Sequence, residues 1–103
     1  MKRKYNIWYM KPEFFKVFIR GTILPKLSEI QETHTSLGFL HKENLDEVFE
    51  FMQGENWSPH GEAVSVIYSL GLQHTSMSIG DVIRDNETNR WYAVAGLGFT
   101  LLE

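Results

Sequence analysis

The residues whose types and spacing could support chemistry are concentrated in one short stretch, LQHTSMSIGDVIRD, at residues 72–85. It combines a histidine, three hydroxyl side chains, a glycine and two aspartates. A histidine near hydroxyls and a carboxylate can serve as an acid–base site. The same hydroxyls can instead bond to the local backbone, and Gly80-Asp81 is typical of a tight turn into a strand. The stretch therefore predicts either an active site or a structured loop.

The motif around His74 occurs a second time in the chain. The segments THTSLG at 33–38 and QHTSMS at 73–78 both contain His-x-Ser followed by an apolar residue. Two such motifs resemble those of 2H-type phosphoesterases, in which paired histidines act as general base and general acid on a cyclic or related phosphodiester. This resemblance implies, as one alternative, a cyclic phosphodiesterase that uses His34 and His74. It requires both imidazoles to reach one substrate.

Other catalytic or metal arrangements have less support. A triad can be composed from His74, Ser76 or Ser78, and Asp81, but the Gly-x-Ser-x-Gly nucleophile elbow is missing from the sequence. The four histidines form no i, i+4 pair beside a carboxylate cluster, so no metal or other cofactor is predicted. We therefore predict no catalytic residues and a binding role for six: Trp57, His74, Thr75, Ser76, Ser78 and Asp81.

Each of these six residues has an expected part in one docking surface. Trp57 stands in MQGENWSPHGE between two predicted helices, and tryptophan is enriched among the residues that dominate binding energy. Trp57 would be the apolar anchor of the surface. The hydroxyls after His74 would supply hydrogen bonds, and Asp81 would orient their loop.

Composition restricts the class of protein. A chain of 103 residues, 43% hydrophobic and 14% aromatic, predicts one folded domain over residues 1–103. That many aromatic residues favours a protein partner, with a homodimer as an alternative, because a small core cannot cover all of them. The absence of cysteine and of an apolar run of about 20 residues predicts a cytoplasmic protein without membrane contact.

The charge of the chain bears on nucleic acid as a partner. A formal net charge of -3 argues against binding that depends on phosphate neutralisation. An RNA-binding module of the PUA or ASCH kind remains an alternative, since those barrels also enter a strand through Gly-Asp followed by two apolar residues. Nucleic acid is nevertheless not the expected partner.

The N-terminal half of the chain predicts alternating strands and helices. Residues 4–10, KYNIWYM, carry apolar side chains on both faces and predict a central strand. A helix is expected from Pro12 to Gly21, then a loop over 22–32 and a strand over 33–41. The next helix has Asn44 as its N-cap, with Glu47 completing a capping box and apolar residues at helical spacing up to Met52.

The C-terminal half predicts one more helix and a meander. Ser58 and Pro59 are expected to begin the helix, Gly71 to end it, and Ala63, Val66, Ile67 and Leu70 to form its buried face. Period-two segments at 79–83, 91–96 and 99–102 predict three antiparallel strands. The expected fold is α+β, in the order β-α-β-α-α-β-β-β.

Three segments carry a wider resemblance: YNIWYMKPEFF, MQGENWSPHGEA and LGLQHTSMSIGDVI. Together they resemble a family of short, functionally unassigned proteins of bacteria, notably cyanobacteria, and phages. The last thirty residues are also similar to the YodL-type domain of polyvalent proteins from phages and conjugative elements, where a hydroxyl-rich S-x-S-x-x-D segment leads into a strand. The resemblance implies a mobile-element setting. We therefore expect a non-enzymatic binding module that modulates a host protein or defence system in the host cytoplasm.

Overall fold

A computed structural model describes residues 1–18 and 23–103, and in these residues it contains five strands and three short α-helices. The strands are β1 Arg3–Met10, β2 His34–Lys42, β3 Val82–Asp85, β4 Arg90–Ala95 and β5 Gly98–Leu102. The helices are α1 Ile30–Thr33, α2 Leu45–Met52 and α3 Val64–Ser69, with 3-10 turns at Pro12–Phe14, Leu27–Glu29 and Glu55–Trp57. The strands form one antiparallel sheet in the order β2-β1-β3-β4-β5, which confirms the α+β class and the C-terminal meander. No helix among the described residues has the length and apolar character needed to span a bilayer.

Strand β1 is flanked on both sides by other strands, and both of its faces are covered. Tyr5, Ile7 and Tyr9 belong to the larger core, with residues of α2 and α3. Trp8 points to the opposite face and packs against a smaller core that includes Ile30 of α1. Successive side chains of a strand alternate between faces, so the apolar residues on both faces of KYNIWYM correctly predicted a central strand.

The Asn44 cap of α2 and the end of α3 follow the predicted chemistry, but the predicted capping box is wrong, because the Glu47 side chain accepts from the Glu43 amide at 3.1 Å instead of the Asn44 amide. At the start of α2, the Asn44 side-chain oxygen accepts a hydrogen bond from the Glu47 amide at 2.9 Å. At the end of α3, Gly71 has a φ of +75° and its amide donates to the Tyr68 carbonyl, while the Leu72 amide donates to the Ile67 carbonyl. These two bonds are the Schellman arrangement, and Leu72 is buried beside it as expected.

The α-helix predicted from Pro12 is wrong, because the described part of this segment forms turns instead. This part contains a 3-10 turn at Pro12–Phe14, continued by turns to Phe18, and the rest of the predicted helix, residues 19–21, lies outside the described residues. In this segment Phe15 contacts the ring of His74, and Phe18 is buried. Such a short segment gains little from helix cooperativity. The loop predicted over 22–32 contains the Leu27–Glu29 turn and α1.

The third predicted helix begins later than Pro59, because the chain between Ser58 and Ala63 folds back on the preceding turn. The Ala63 amide donates to the Asn56 carbonyl at 2.8 Å. A Cβ on Gly61 would lie 2.3 Å from the Glu55 carbonyl oxygen, so only glycine fits there. Helix α3 therefore starts at Val64.

The buried face predicted for this helix is only half correct. Ala63 and Ile67 are buried, whereas Val66 and Leu70 are exposed. With its start at Val64, α3 spans six residues and directs a narrower stripe toward the core than a helix from Pro59 would.

Strand β2 contains a bulge that breaks its predicted alternation. Ile7 of β1 pairs with Gly38 and Trp8 pairs with Ser36, which leaves Leu37 as the extra residue. The buried Asn6 side chain donates to the Ser36 hydroxyl at 2.9 Å and to the Gly38 carbonyl at 2.7 Å. These bonds fix the bulge, and Leu37 packs against the larger core.

The backbone of the turn before β3 requires glycine at position 80. Gly80 has a φ of +96°, and a Cβ on it would lie 2.7 Å from the Met10 methyl carbon. We expect Gly80→Ala to lower the free energy of unfolding by about 1–3 kcal/mol, because it adds backbone strain and displaces that methyl group. Urea denaturation followed by circular dichroism measures the change.

The control for this substitution is Gly96→Ala in the β4–β5 turn. A Cβ on Gly96 would meet nothing within 4 Å. The control variant should stay within about 0.5 kcal/mol of the wild type. Equal losses in the two variants would contradict a special requirement at Gly80.

Candidate functional site

The polar segment after α3, residues 73–81, is a loop that is joined to the sheet at its C-terminal end. The Gly80 amide donates to the Val94 carbonyl at 2.9 Å, and the Val94 amide donates to the Asp81 carbonyl at 2.8 Å. The Asp81 amide donates to the Ser78 carbonyl at 3.0 Å, which closes the tight turn predicted at Gly80-Asp81. We call residues 73–81 the polar loop.

The side chain of Asp81 joins three parts of the chain. The residue is 1% exposed, and its carboxylate accepts hydrogen bonds from the Met10 amide at the end of β1 and from the Ser78 amide, each at 2.9 Å. His74 Nε2 lies 2.7 Å from one carboxylate oxygen and 3.0 Å from the other. A buried carboxylate needs such donors to compensate for lost hydration. Asp81 thus orients the polar loop and connects it to the central strand.

The ring of His74 is held between aromatic side chains as well as by Asp81. It stacks on Tyr9 with the ring centroids 4.5 Å apart and the planes inclined by 14°, and the edge contact with Phe15 is at 5.6 Å. The Tyr9 hydroxyl donates to the Thr75 carbonyl at 2.8 Å. Burial raises the pKa of Tyr9, so this phenol stays a donor. These contacts fix the imidazole against the sheet.

His34 lies on the other side of the same turn and is 1% exposed. Its Nδ1 is 2.7 Å from the Thr33 hydroxyl, and its Nε2 is 2.8 Å from the Gly80 carbonyl. Burial lowers the pKa of His34, which favours the neutral ring. In that form Nε2–H donates to Gly80, and Nδ1 accepts from the Thr33 hydroxyl. Protonation would force that hydroxyl to turn toward the Glu29 carbonyl, 3.0 Å away.

The two histidines of the repeated motif therefore converge on adjacent residues, Gly80 and Asp81, but His34 is buried while His74 is half-buried. Both nitrogens of His34 are engaged with groups of the described chain. A general acid or base must reach the substrate atom with which it exchanges a proton. The observed arrangement does not favour the phosphodiesterase alternative, since a buried His34 cannot contact a phosphodiester.

The hydroxyl groups of the polar loop also serve the fold. Thr75 is buried, and the Ser76 hydroxyl donates to the Trp57 carbonyl at 2.9 Å. The Met77 amide donates to the Met52 carbonyl at 3.2 Å, and the Gln53 side chain donates to the Met77 carbonyl. The loop is thus fastened to the C-terminal end of α2 and to the turn that carries Trp57. Of the hydroxyl residues proposed for docking, Ser78 is exposed and Ser76 half-buried.

Trp57 is half-buried and forms one wall of a cavity of about 300 Å³. The cavity is lined by Phe51, Gly54, Glu55, Asn56 and Trp57. On its inner side the indole meets the ring of Tyr9 edge-on, with centroids 6.3 Å apart. Phe51 is exposed, and the ammonium group of Lys42 lies 4.4 Å from its ring centroid. The cavity therefore presents two aromatic rings beside polar groups.

The chain segment that forms this cavity is rich in carboxylates, of which Glu55 lines the cavity, although the ammonium group of Lys42 lies over the ring of Phe51. Residues 43–62, which include α2 and the Trp57 turn, contain six carboxylates and neither lysine nor arginine. Five of the carboxylate residues are exposed, namely Glu43, Asp46, Glu50, Glu55 and Glu62. We call the Trp57 cavity together with these carboxylates the acidic aromatic surface.

The structure brings the six predicted site residues into one connected region but assigns them to two environments. His74, Thr75, Ser76, Ser78 and Asp81 are bonded to other residues of the chain, while Trp57 faces the cavity. Sequence reasoning missed Tyr9, Phe51 and Gln53. These residues contact the polar loop or line the cavity only in the folded protein, and no local sequence pattern predicts those contacts.

Among the described residues, no group of three or more histidine, aspartate or glutamate side chains is placed to hold a metal ion. No family model matches the chain, and no significant match was found among curated proteins or solved structures. The resemblance to short bacterial and phage proteins and to YodL-type domains stays a prediction from the sequence.

Removal of the Asp81 charge should weaken the whole region. We expect Asp81→Asn to lower the free energy of unfolding by about 2–4 kcal/mol, because the amide group would face donors that the carboxylate now accepts from. Chemical denaturation measures the loss. Glu62→Gln, an exposed carboxylate, is the control and should be close to neutral. A small effect at both positions would show that the Asp81 bonds are not structurally important.

The buried His34 should make stability depend on pH. Its folded-state pKa lies below its unfolded value of about 6.5, so its contribution is fully present above that pH and is lost as the pH falls through the folded-state pKa. Imidazole NMR titration should place the pKa of His34 below 6.5. Between pH 7 and about pH 5, stability should fall more steeply in the wild type than in His34→Asn. A ring that titrates at 6.5 or above would refute the assignment.

Proposed function

We propose that the protein is a non-enzymatic binding module, a phage or mobile-element factor that acts in the host cytoplasm on a host protein or defence system. The observation that carries the binding function is the acidic aromatic surface, where Trp57 and Phe51 line a cavity beside exposed carboxylates. The mobile-element setting is inferred from the sequence resemblance.

The aromatic groups suit an apolar anchor from a partner. Two rings at a cavity of about 300 Å³ give a concave site for one apolar side chain. Large aromatic residues at the centre of an interface supply much of its binding energy because they bury a large area with few rotatable bonds. Trp57 is therefore the main contact residue of the proposal.

The carboxylates define the charge of the partner. Residues 43–62 have six acidic residues and neither lysine nor arginine, and the one cation that the described residues place at the cavity is Lys42 over Phe51, so this surface attracts a basic protein segment more strongly than an acidic one. Complementary charge raises the rate of association and excludes partners of the same sign. The same charge disfavours nucleic acid, whose phosphates would meet these carboxylates. The proposed partner is thus a basic segment that carries an apolar side chain.

The polar loop supports this surface from behind. Ser76 holds the Trp57 carbonyl, and Asp81 holds the loop to β1. A cavity wall that is fixed before binding loses less conformational entropy when the partner arrives. His74, Thr75, Ser76 and Asp81 are therefore positioning residues in this proposal, whereas Trp57 contacts the partner.

The test asks whether partner binding depends on Trp57 in particular or on any exposed aromatic residue of the protein. Proteins captured from host lysate by the wild type are purified, and their dissociation constants are measured by calorimetry. Trp57→Ala should weaken binding by about 30-fold or more, as expected for an anchor residue. Tyr68→Ala on α3, where Tyr68 is 64% exposed, should bind as the wild type does.

Two further measurements decide the outcome. Both variants must keep the wild-type unfolding midpoint within a few degrees, which separates lost binding from lost folding. Affinity for the partner should fall as salt increases, because opposite charges attract less strongly when screened. Equal affinity of Trp57→Ala and wild type, or salt-independent binding, would refute the proposed surface.

A further inference from the structure

Strand β5 forms one edge of the sheet. It pairs with β4, and no strand of the described residues lies on its other side. In an antiparallel strand, alternate residues direct their amide and carbonyl groups away from the neighbouring strand. The amide and carbonyl groups of Phe99 and Leu101, two of the five residues, are thus directed toward the open edge. Such unpaired amide and carbonyl groups along an edge strand can form hydrogen bonds with a strand of another chain.

The two edges of the sheet differ in how they are protected. The β2 edge has the Leu37 bulge and the basic residue Lys42, and bulges and charged residues are features that discourage strand pairing. Strand β5, with the sequence GFTLL, has no charged residue, no proline and an unbroken register with β4. Leu101 is 42% exposed at this edge. The β5 edge therefore has none of the protection found at the β2 edge.

We infer that two copies of this chain pair antiparallel through β5. A two-fold axis at Thr100, the middle residue of the strand, gives the longest overlap between the copies. In that register Phe99 of one copy lies opposite Leu101 of the second copy, and the reverse contact forms on the other side of the axis. The two five-stranded sheets then form one continuous sheet of ten strands.

Three features of the strand favour a second copy as the occupant. An uncharged strand brings no like charges together when it meets itself, although each chain has a net charge of -3. Aromatic and aliphatic residues opposite each other stabilise neighbouring strands, and Phe99 with Leu101 provides two such pairs. Thr100 is exposed on the opposite face of the sheet from Phe99, so Thr100 meets Thr100 of the second copy without steric conflict.

This interface shares no residue with the acidic aromatic surface, since none of the cavity-lining residues belongs to β5. The two lie on neighbouring elements, because the ring of Phe99 meets that of Phe49 in α2 with centroids 6.3 Å apart. The inference does not rest on the proposed function, and either can fail alone.

The first test is sedimentation equilibrium over a range of protein concentrations. The wild type should associate to a dimer, and Leu101→Lys should lower the association constant by about tenfold or more, because each dimer then loses two apolar pairs and gains two charges at the edge. Leu70→Lys is a matched control, since Leu70 is 41% exposed at the end of α3 and the substitution is the same. It should associate as the wild type does.

The second test fixes the register and uses the absence of native cysteine. The backbone groups of Val94 bond on the β3 side, so by alternation those of its partner Phe99 face the open edge and those of Thr100 face β4. The Thr100 pair across the axis is therefore non-hydrogen-bonded, with Cα atoms about 4.5 Å apart, within the range that a disulfide spans. Thr100→Cys should therefore form a covalent dimer under mild oxidation, and the exposed Ser65→Cys on α3 should stay monomeric.

The outcomes are decisive in both directions. A wild type that remains monomeric at every concentration overturns the inference. So does a dimer that Leu101→Lys and Leu70→Lys weaken equally, or Thr100→Cys cross-linking no faster than Ser65→Cys. Circular dichroism of each variant establishes that it is folded, so that a monomeric result reports on the interface.

Discussion

The bonds to the Asp81 carboxylate are the interaction on which the rest of this structure depends. A buried charge is costly in free energy unless donors replace the water it has lost. Here the donors come from Met10, 71 residues away in sequence, from His74 and from Ser78. The need to satisfy one carboxylate therefore joins the central strand to the polar loop. A buried polar network that keeps only part of its hydrogen bonds destabilises the protein more than an apolar core would. We therefore expect these segments to fold and unfold together.

The polar loop contains the residue types of an active site, and its geometry shows why residue types alone do not define one. Catalysis requires groups that converge on a space which a substrate can enter. His34 and His74 converge, but on Gly80 and Asp81 of the protein itself. The Ser76 hydroxyl is likewise bonded to the Trp57 carbonyl. These side chains could donate hydrogen bonds to a substrate or accept them from it. Here they bond to backbone and side-chain groups of the protein, because the loop has no regular secondary structure to satisfy its polar groups.

Local chemistry was predictable from the sequence, and contacts between distant segments were not. The cap at Asn44 and the Schellman turn at Gly71 depend on neighbouring residues, so the sequence predicted them correctly. The late start of α3 depends on Gly61 packing against the Glu55 carbonyl, and the β2 bulge depends on Asn6, about thirty residues before it. Both follow from tertiary contacts that override local propensity.

The same division applies to the candidate site. The turn at Gly80-Asp81 and the bond between Asp81 and Ser78 lie within four residues, and turn chemistry indicates them. The roles of His34 and Tyr9 come from strands that meet the loop only in the folded sheet. Trp57 was singled out by residue type, but the cavity beside it is completed by Phe51 of α2. No spacing in the sequence relates that phenylalanine to the indole ring.

In the proposed binding function, the connection from Asp81 to Trp57 would give the buried polar residues a role in recognition without direct contact. Asp81 fixes the polar loop, Ser76 in that loop bonds to the Trp57 carbonyl, and Trp57 forms the cavity wall. Each added hydrogen bond reduces the number of positions that the indole can occupy before a partner binds, and less entropy is then lost on association. Loosening the buried end of this chain of contacts would therefore weaken binding at the surface even though no contact residue has changed. Residues that look catalytic in the sequence would in this way act on affinity through rigidity.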